Sequence, residues 1–142
     1  MGRSRGGLTT KIHAVTDARG LPIRFALTPG QAHDGQTAAE LLGHLAEGCI
    51  VLADKAYDAD WIRDHIEQQG AAPNIPDKAN RKDRHCFSAV LYRERNRIER
   101  FFNRLKQCRR IATPFEKHAA NYLAMLKLAA IRIWLRANES MA

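Results

Sequence analysis

Between Phe87 and Cys108 the sequence spells one long helix with three chemically different sides, and any fold must satisfy all three. At about 100° per residue, Phe87, Leu91, Ile98, Phe101, Phe102 and Leu105 form an apolar stripe that has to pack against another element. Beside it, Tyr92, Arg95, Glu99 and Lys106 recur at steps of three, four and seven residues, inside an arc of roughly 60°. Arg93, Arg97, Arg100 and Arg104 point to the remaining side. Glu94 and Glu99 are the only acids between Leu91 and Lys106, too few for the i,i+4 pairing of an ordinary solvated helix. A carboxylate set among a guanidinium, an ammonium and a phenol suits a metal ion and a phosphate better than an apolar core.

The bulk properties agree with that reading. The chain has 142 residues, enough for one domain, 1–142, with a real core. Lys and Arg total 23 against 15 Asp and Glu, a formal charge of +8 that favours nucleic acid or an anionic surface as partner. The excess is concentrated, because Arg81 to Arg110 holds 11 basic residues and three acids. Cys49, Cys86 and Cys108 are odd in number and lack metal-ligand spacing, so they read as reduced, buried or half-buried thiols of a cytosolic protein. No apolar run approaches a membrane span, and the opening MGRSRGG lacks the apolar core of a signal peptide.

Along the chain, Leu8–Thr16 and Leu21–Thr28 read as strands of a β-hairpin turned by Asp17-Ala18-Arg19-Gly20. Thr37 to Glu47 has helical spacing and is closed by Gly48. Cys49–Ala53 is a short apolar run, expected as a strand buried on both faces and ending at Asp54. Asp58–Gln69 is expected as a helix capped by Asp58 and stopped by Gly70, and Ala71–Ile75 as a further strand. Asp77–His85 reads as a polar loop. After the three-sided helix, Thr113-Pro114-Phe115-Glu116 spells a cap, and a final helix to about Arg136 should bury Ala119, Leu123, Leu126, Ala130 and Ile133 or Trp134. The order β-β-α-β-α-β-α-α is mixed α/β.

Asp54 stands directly after the buried strand, where α/β proteins gather functional groups; the bland alternative is a turn or cap residue. Glu99 by itself is equally well a salt-bridge partner of Arg95. Together the two carboxylates can hold a pair of Mg²⁺ ions roughly 3.5–4 Å apart, as in phosphodiester-processing enzymes. Arg95 and Lys106 would then hold the substrate's phosphates. Such centres normally need a third carboxylate. His13 and His33 read as structural, Tyr57 as packed beside Asp54, and Trp61 and Trp134 as core. The Arg93, Arg97, Arg100 and Arg104 side is either a solvated face or a DNA-backbone contact.

The spacing Tyr92-x2-Arg95-x3-Glu99-x6-Lys106 matches without a gap the Y-(2)-R-(3)-E-(6)-K pattern of bacterial insertion-sequence DDE transposases of the insertion-sequence-five type. Ala53-Asp54-Lys55-Ala56-Tyr57-Asp58 resembles that family's second-aspartate segment, with Ala56 where glycine is usual. Gly6–Ala14, Gly30–Asp34 and Asn80-Arg81-Lys82 also resemble family segments, so the likeness covers nearly the whole chain. It implies an RNase H-like mixed sheet flanked by helices, with a C-terminal helix pair, and Mg²⁺- or Mn²⁺-dependent cutting and joining of DNA. By this resemblance Asp54 and Glu99 are the second and third members of the catalytic, metal-binding triad. Tyr92, Arg95 and Lys106 would face DNA.

In that family the first aspartate lies on a strand before the hairpin, the central one in the order 3-2-1-4-5, and this sequence starts at the hairpin. Asp17 and Asp34 are the candidates for a substitute, but both sit at turns beyond the strands. Some members are encoded as two overlapping frames fused by frameshifting. The expectation is therefore a C-terminal catalytic part, inactive without an upstream half that carries the first Asp. The implied partners are that half, the element's terminal inverted repeats, target DNA and a possible second copy, at the bacterial nucleoid in the cytoplasm. The alternative is a basic, non-catalytic product that binds DNA or the transposase.

Overall fold

A computed structural model describes residues 2–4, 7–108 and 118–141. In chain order the elements are β1 (Gly2–Ser4), β2 (Gly7–Thr16), β3 (Pro22–Pro29), α1 (Ala38–Leu41), β4 (Ile50–Leu52), α2 (Asp60–Glu67), β5 (Ala72–Asn74), α3 (Ala89–Tyr92), α4 (Asn96–Lys106) and α5 (Ala119–Glu139). Single 3₁₀ turns lie at Asp34–Thr37, Lys55–Tyr57 and Arg93–Arg95. The mixed α/β class is as expected. The chain forms two compact units, one from residues 1–32 and 97–142, the other from His33 to Asn96.

In the first unit β1, β2 and β3 make an antiparallel sheet in that order, with Ile12 opposite Leu27 and Ala14 opposite Phe25. The hairpin turn forms as the sequence indicates. Asp17 Oδ1 accepts hydrogen bonds from the backbone N–H groups of Arg19 (2.8 Å) and Leu21 (2.9 Å), and Gly20 takes φ +77°, a conformation costly for other residues. Gly30 is fixed for a different reason: a Cβ there would overlap the Thr9 hydroxyl. Lys11 Nζ donates to Ala32 O at 2.9 Å, so the segments after Gly6 and after Gly30 lie side by side.

One face of the hairpin packs on the C-terminal helix pair. Phe101 and Leu105 of α4 and Tyr122 and Leu126 of α5 are fully buried, against Ile12, Ala14, Phe25 and Leu27. The Phe101 ring lies 5.9 Å from that of Phe25 and 5.3 Å from that of Phe102, within the range of favourable aromatic pairing. His13 is structural, its Nε2 2.8 Å from the Thr28 hydroxyl in the buried interior. Trp134 is half-buried and donates Nε1–H to Pro22 O at 2.8 Å. In α5, Leu126 and Ala130 are buried as expected, whereas Ala119 is exposed and Tyr122 takes an interior place. The expected cap at Thr113–Glu116 lies outside the described residues.

In the second unit β4 and β5 pair in parallel, joined through α2, with Ile50 opposite Ala72 and Leu52 opposite Asn74. Ala38, Leu41, Leu42, Ile62, Ile66, Ala71 and Ile75 are its buried apolar residues. Several expectations fail here. The helix beginning near Thr37 stops at Leu41, because the Gln69 side chain takes over the backbone: its Nε2 donates to Leu42 O (2.6 Å) and its Oε1 accepts from Leu45 N (2.9 Å). β4 is not buried on both faces, and Ile50 is 50% exposed, because β5 is its one partner among the described strands. The strands thus fall into two sheets, a three-stranded and a two-stranded one. Trp61 is 49% exposed rather than core, and Cys86 is exposed rather than buried.

Candidate active site

Asp54 follows β4 immediately and serves as the N-cap of the 3₁₀ turn Lys55–Tyr57. Its Oδ1 accepts from Ala56 N at 2.9 Å, and its carbonyl accepts from Tyr57 N at 3.0 Å. The bland reading of a cap residue is therefore correct as far as it goes. Among the described residues Oδ2 accepts no hydrogen bond, and the side chain is only half-buried. A carboxylate fixed through one oxygen with the other available has the donor chemistry that a hard cation requires.

Tyr57 closes the same turn. Burial, then the Asp34 carboxylate, then the Asp54 carboxylate push its phenol up to about 12, since a phenolate there would be desolvated between two anions. Asp34 opens the 3₁₀ turn that packs on Lys55–Tyr57, so two carboxylates act on one protonated phenol. Asp17 sits differently, committed to the hairpin turn.

Asp58 is not the helix cap expected of it; Ala59 is, and Asp58 instead heads a buried ion-pair network. Its Oδ1 accepts from Arg63 (2.9 Å), and its Oδ2 from Arg81 Nε (3.0 Å) and Lys78 N (2.7 Å). Arg63 also reaches Asp77 (3.2 Å) and Ile75 O (2.9 Å), while Arg81 reaches Asp60 (2.7 Å). Burial by itself would raise the Asp58 carboxyl. The hydrogen bonds from Arg81, Lys78 and Arg63 outweigh it and hold that carboxyl well below the usual carboxylate range. Asp77 is likewise lowered, first by the His85 backbone N–H and ring.

Asp58, Asp77 and His85 offer three ligand atoms within 4.8 Å of one another. Arg63 and Arg81 already neutralise these acids at hydrogen-bond distance, so the cluster does not fit a cation. It anchors the turn that carries Asp54. Sequence spacing does not reveal this network, because its members come from two separate stretches, 58–63 and 77–85, that only the fold brings together.

The three-sided helix is interrupted. Ser88, not Phe87, caps its start: the Ser88 Oγ accepts from Leu91 N (3.3 Å), and the buried Asn74 side chain clamps Ser88 from the end of β5 through bonds of 2.8 and 3.1 Å. Phe87 and Leu91 consequently stay 41% and 40% exposed and do not join the apolar stripe. Across the 3₁₀ turn Arg93–Arg95, residues three apart eclipse, and the Arg95 guanidinium lies 5.4 Å from the centroid of the Tyr92 ring. Asp54, Tyr92 and Arg95 thus belong to one unit, connected through the β4–β5 pair and the Asn74 clamp.

Glu99 and Lys106 lie on α4, in the other unit, seven residues apart and both exposed. Arg93, Arg97, Arg100 and Arg104 are exposed too, as the sequence indicates. Among the described residues no helix is long and apolar enough to cross a membrane.

Comparison with known proteins gives a consistent result. The family model described as "Transposase DDE domain" matches residues 2–134. A putative transposase for insertion sequence element IS6501 of Brucella ovis is 44% identical over 135 residues, which covers 91% of this chain and 100% of that protein. A putative transposase for IS402 of Burkholderia cepacia is 32% identical over 92% of this chain and 64% of its own length. A transposase for IS1106 of Neisseria meningitidis is 37% identical over 71 residues, only 25% of its length. No solved structure matches.

Proposed function

This chain belongs to the family of transposase DDE domains found in bacterial insertion-sequence transposases, and we propose that it supplies two of the three carboxylates of an RNase H-like catalytic centre, Asp54 and Glu99. The observation that carries the reading is the geometry of Asp54: a strand-end carboxylate with one oxygen fixed by Ala56 N and the other available.

Asp54 and Glu99 would hold Mg²⁺ or Mn²⁺. The chemistry that such a pair of ions supplies when bound is activation of the attacking oxygen, water and then a 3′-hydroxyl, and stabilisation of the leaving oxygen. The chain's own groups do the rest. Ala56 N–H fixes the rotamer of Asp54, and the Asp58–Arg63–Arg81 network holds its turn in place. Arg95, stacked on Tyr92, presents a fork of donors suited to a phosphate, and Lys106 adds a point charge. Arg93, Arg97, Arg100 and Arg104 offer sequence-independent contact to the backbones of terminal repeats and target DNA.

The third carboxylate comes from outside these 142 residues in this reading, from an upstream transposase half or a fused longer product. The purified chain should bind DNA yet show no Mg²⁺-dependent nicking, and nicking should appear when an upstream segment carrying an aspartate is added. Robust nicking by the chain alone, lost in Glu99→Gln, would overturn the need for that segment. Nicking by the complemented enzyme that survives both Asp54→Asn and Glu99→Gln would overturn the assignment of the two residues.

A further inference from the structure

Four guanidinium groups line one open cleft of about 530 Å³ in the first unit, formed by the hairpin turn, the end of α4 and the C-terminal half of α5. They are Arg19, Arg104, Arg132 and Arg136, and among the described residues no Asp or Glu lines the cleft. All four are exposed. Arg19 is held in place, with Asp17 at 3.4 Å and its guanidinium 5.4 Å from the Trp134 ring centroid. Among the described residues, Arg104, Arg132 and Arg136 carry no ion pair.

The arrangement follows from local structure. Gly20, at positive φ, lets the turn approach the Arg97 backbone of α4, so Arg19 faces the same space as Arg104. On α5, Ala129, Arg132, Ile133 and Arg136 recur at helical spacing and present one face to it. On α4, Arg104 lies about 140° round the helix from Glu99 and about 160° from Lys106. The cleft is therefore on the side of α4 away from the Glu99–Lys106 stripe.

We propose that this cleft is a second contact surface for DNA, gripping the phosphate backbone away from the Glu99–Lys106 side; the proposal rests on the transposase reading above. A site for a small free anion would enclose its cations. Here the cations are exposed on an open cleft, with Leu21, Ile133 and Ala137 among its walls, which fits the outer backbone of a polyanion. Arg104, Arg132 and Arg136, which carry no ion pair among the described residues, raise the local potential, and a phosphate track relieves it.

The test uses the full chain in a Trp61→Phe background, which leaves Trp134 as the single indole of a chain that has two. Duplex DNA is titrated by fluorescence anisotropy across a NaCl series while Trp134 emission is followed. Arg132→Gln/Arg136→Gln should weaken binding at least tenfold near 100 mM salt and lower the slope of log K against log [NaCl] by about 2, at ~0.9 per phosphate contact. Arg132→Lys/Arg136→Lys should keep most of the slope, and Lys127→Gln, on another face of α5, should change affinity by about twofold or less. Circular dichroism checks that the variants remain folded.

Binding by the double glutamine variant within twofold of the parent, with an unchanged slope and silent Trp134, overturns the proposal. If Arg95→Gln and Lys106→Gln abolish DNA binding in that same series, the transposase reading stands while the cleft fails. Saturation of the Trp134 signal by micromolar inorganic phosphate would make the cleft a small-anion site and overturn it differently. A folded parent chain that binds no DNA at any salt would sink both readings.

Discussion

Tyr57 shows how much chemistry one turn can hold. Its phenol is half-buried within reach of the carboxylates of Asp34 and Asp54, and both act against its ionisation. Removing an anion makes the phenolate easier to form, so Asp34→Asn should bring the Tyr57 midpoint down from about 12, yet not to the value of free tyrosine, because burial is the larger cause. Titration of the Tyr57 ring carbon by NMR measures this; an unchanged midpoint would show that Asp34 lies too far away to act. The sequence placed Tyr57 beside Asp54 correctly. It had no means of placing Asp34 there, twenty residues upstream, since only the packing of two 3₁₀ turns creates that neighbourhood.

At the scale of elements, hydrophobic spacing was reliable where a helix met a full partner and unreliable where it did not. α4 met the hairpin and α5, and its Phe101 and Leu105 are buried as the spacing requires. Phe101→Ala removes a ring that packs on Phe25 and Phe102, and should destabilise the fold by about 3–5 kcal/mol in chemical denaturation. A loss below about 1 kcal/mol would mean that this helix pair is not the core of its unit. Phe87 and Leu91 have the same spacing but lie before and within the short α3, where the Asn74–Ser88 clamp decides the helix start. The helix expected over residues 37–47 failed for a related reason, because Gln69 satisfies at Leu42 and Leu45 the backbone groups that a continuing helix would have used.

For the whole molecule, the ion-pair network predicts an acid limb. The carboxyls of Asp58 and Asp77 are lower in the folded chain than in the unfolded one. Their contribution is therefore fully present above the unfolded carboxylate range, near 3.9, and is lost as pH falls below it toward the folded values. Thermal melts between pH 7 and pH 2 should show a steep fall below about pH 4, flatter in Asp58→Asn, which is less stable at neutral pH. An acid limb identical in the two proteins would remove Asp58 as its source. The +8 charge adds self-repulsion that grows as carboxylates protonate, in the same direction.

The sequence by itself determined the hairpin, the helix between two short strands, the helix pair at the end and the family, because each depends on spacing within one element or on turn residues such as Asp17 and Gly20. Tertiary structure decided what those elements expose and what they join. It left Ile50 and Trp61 half-exposed, split the strands into two sheets, broke the three-sided helix at Arg93–Arg95 and gathered Asp58, Arg63, Asp77 and Arg81 into one network. It also turned Arg19, Arg104, Arg132 and Arg136, scattered over more than a hundred residues, into the rim of one cleft. The physical reason is common to all of these. Burial and charge pairing are set by neighbours distant in sequence, whereas periodicity reports only which side of an element is able to be buried.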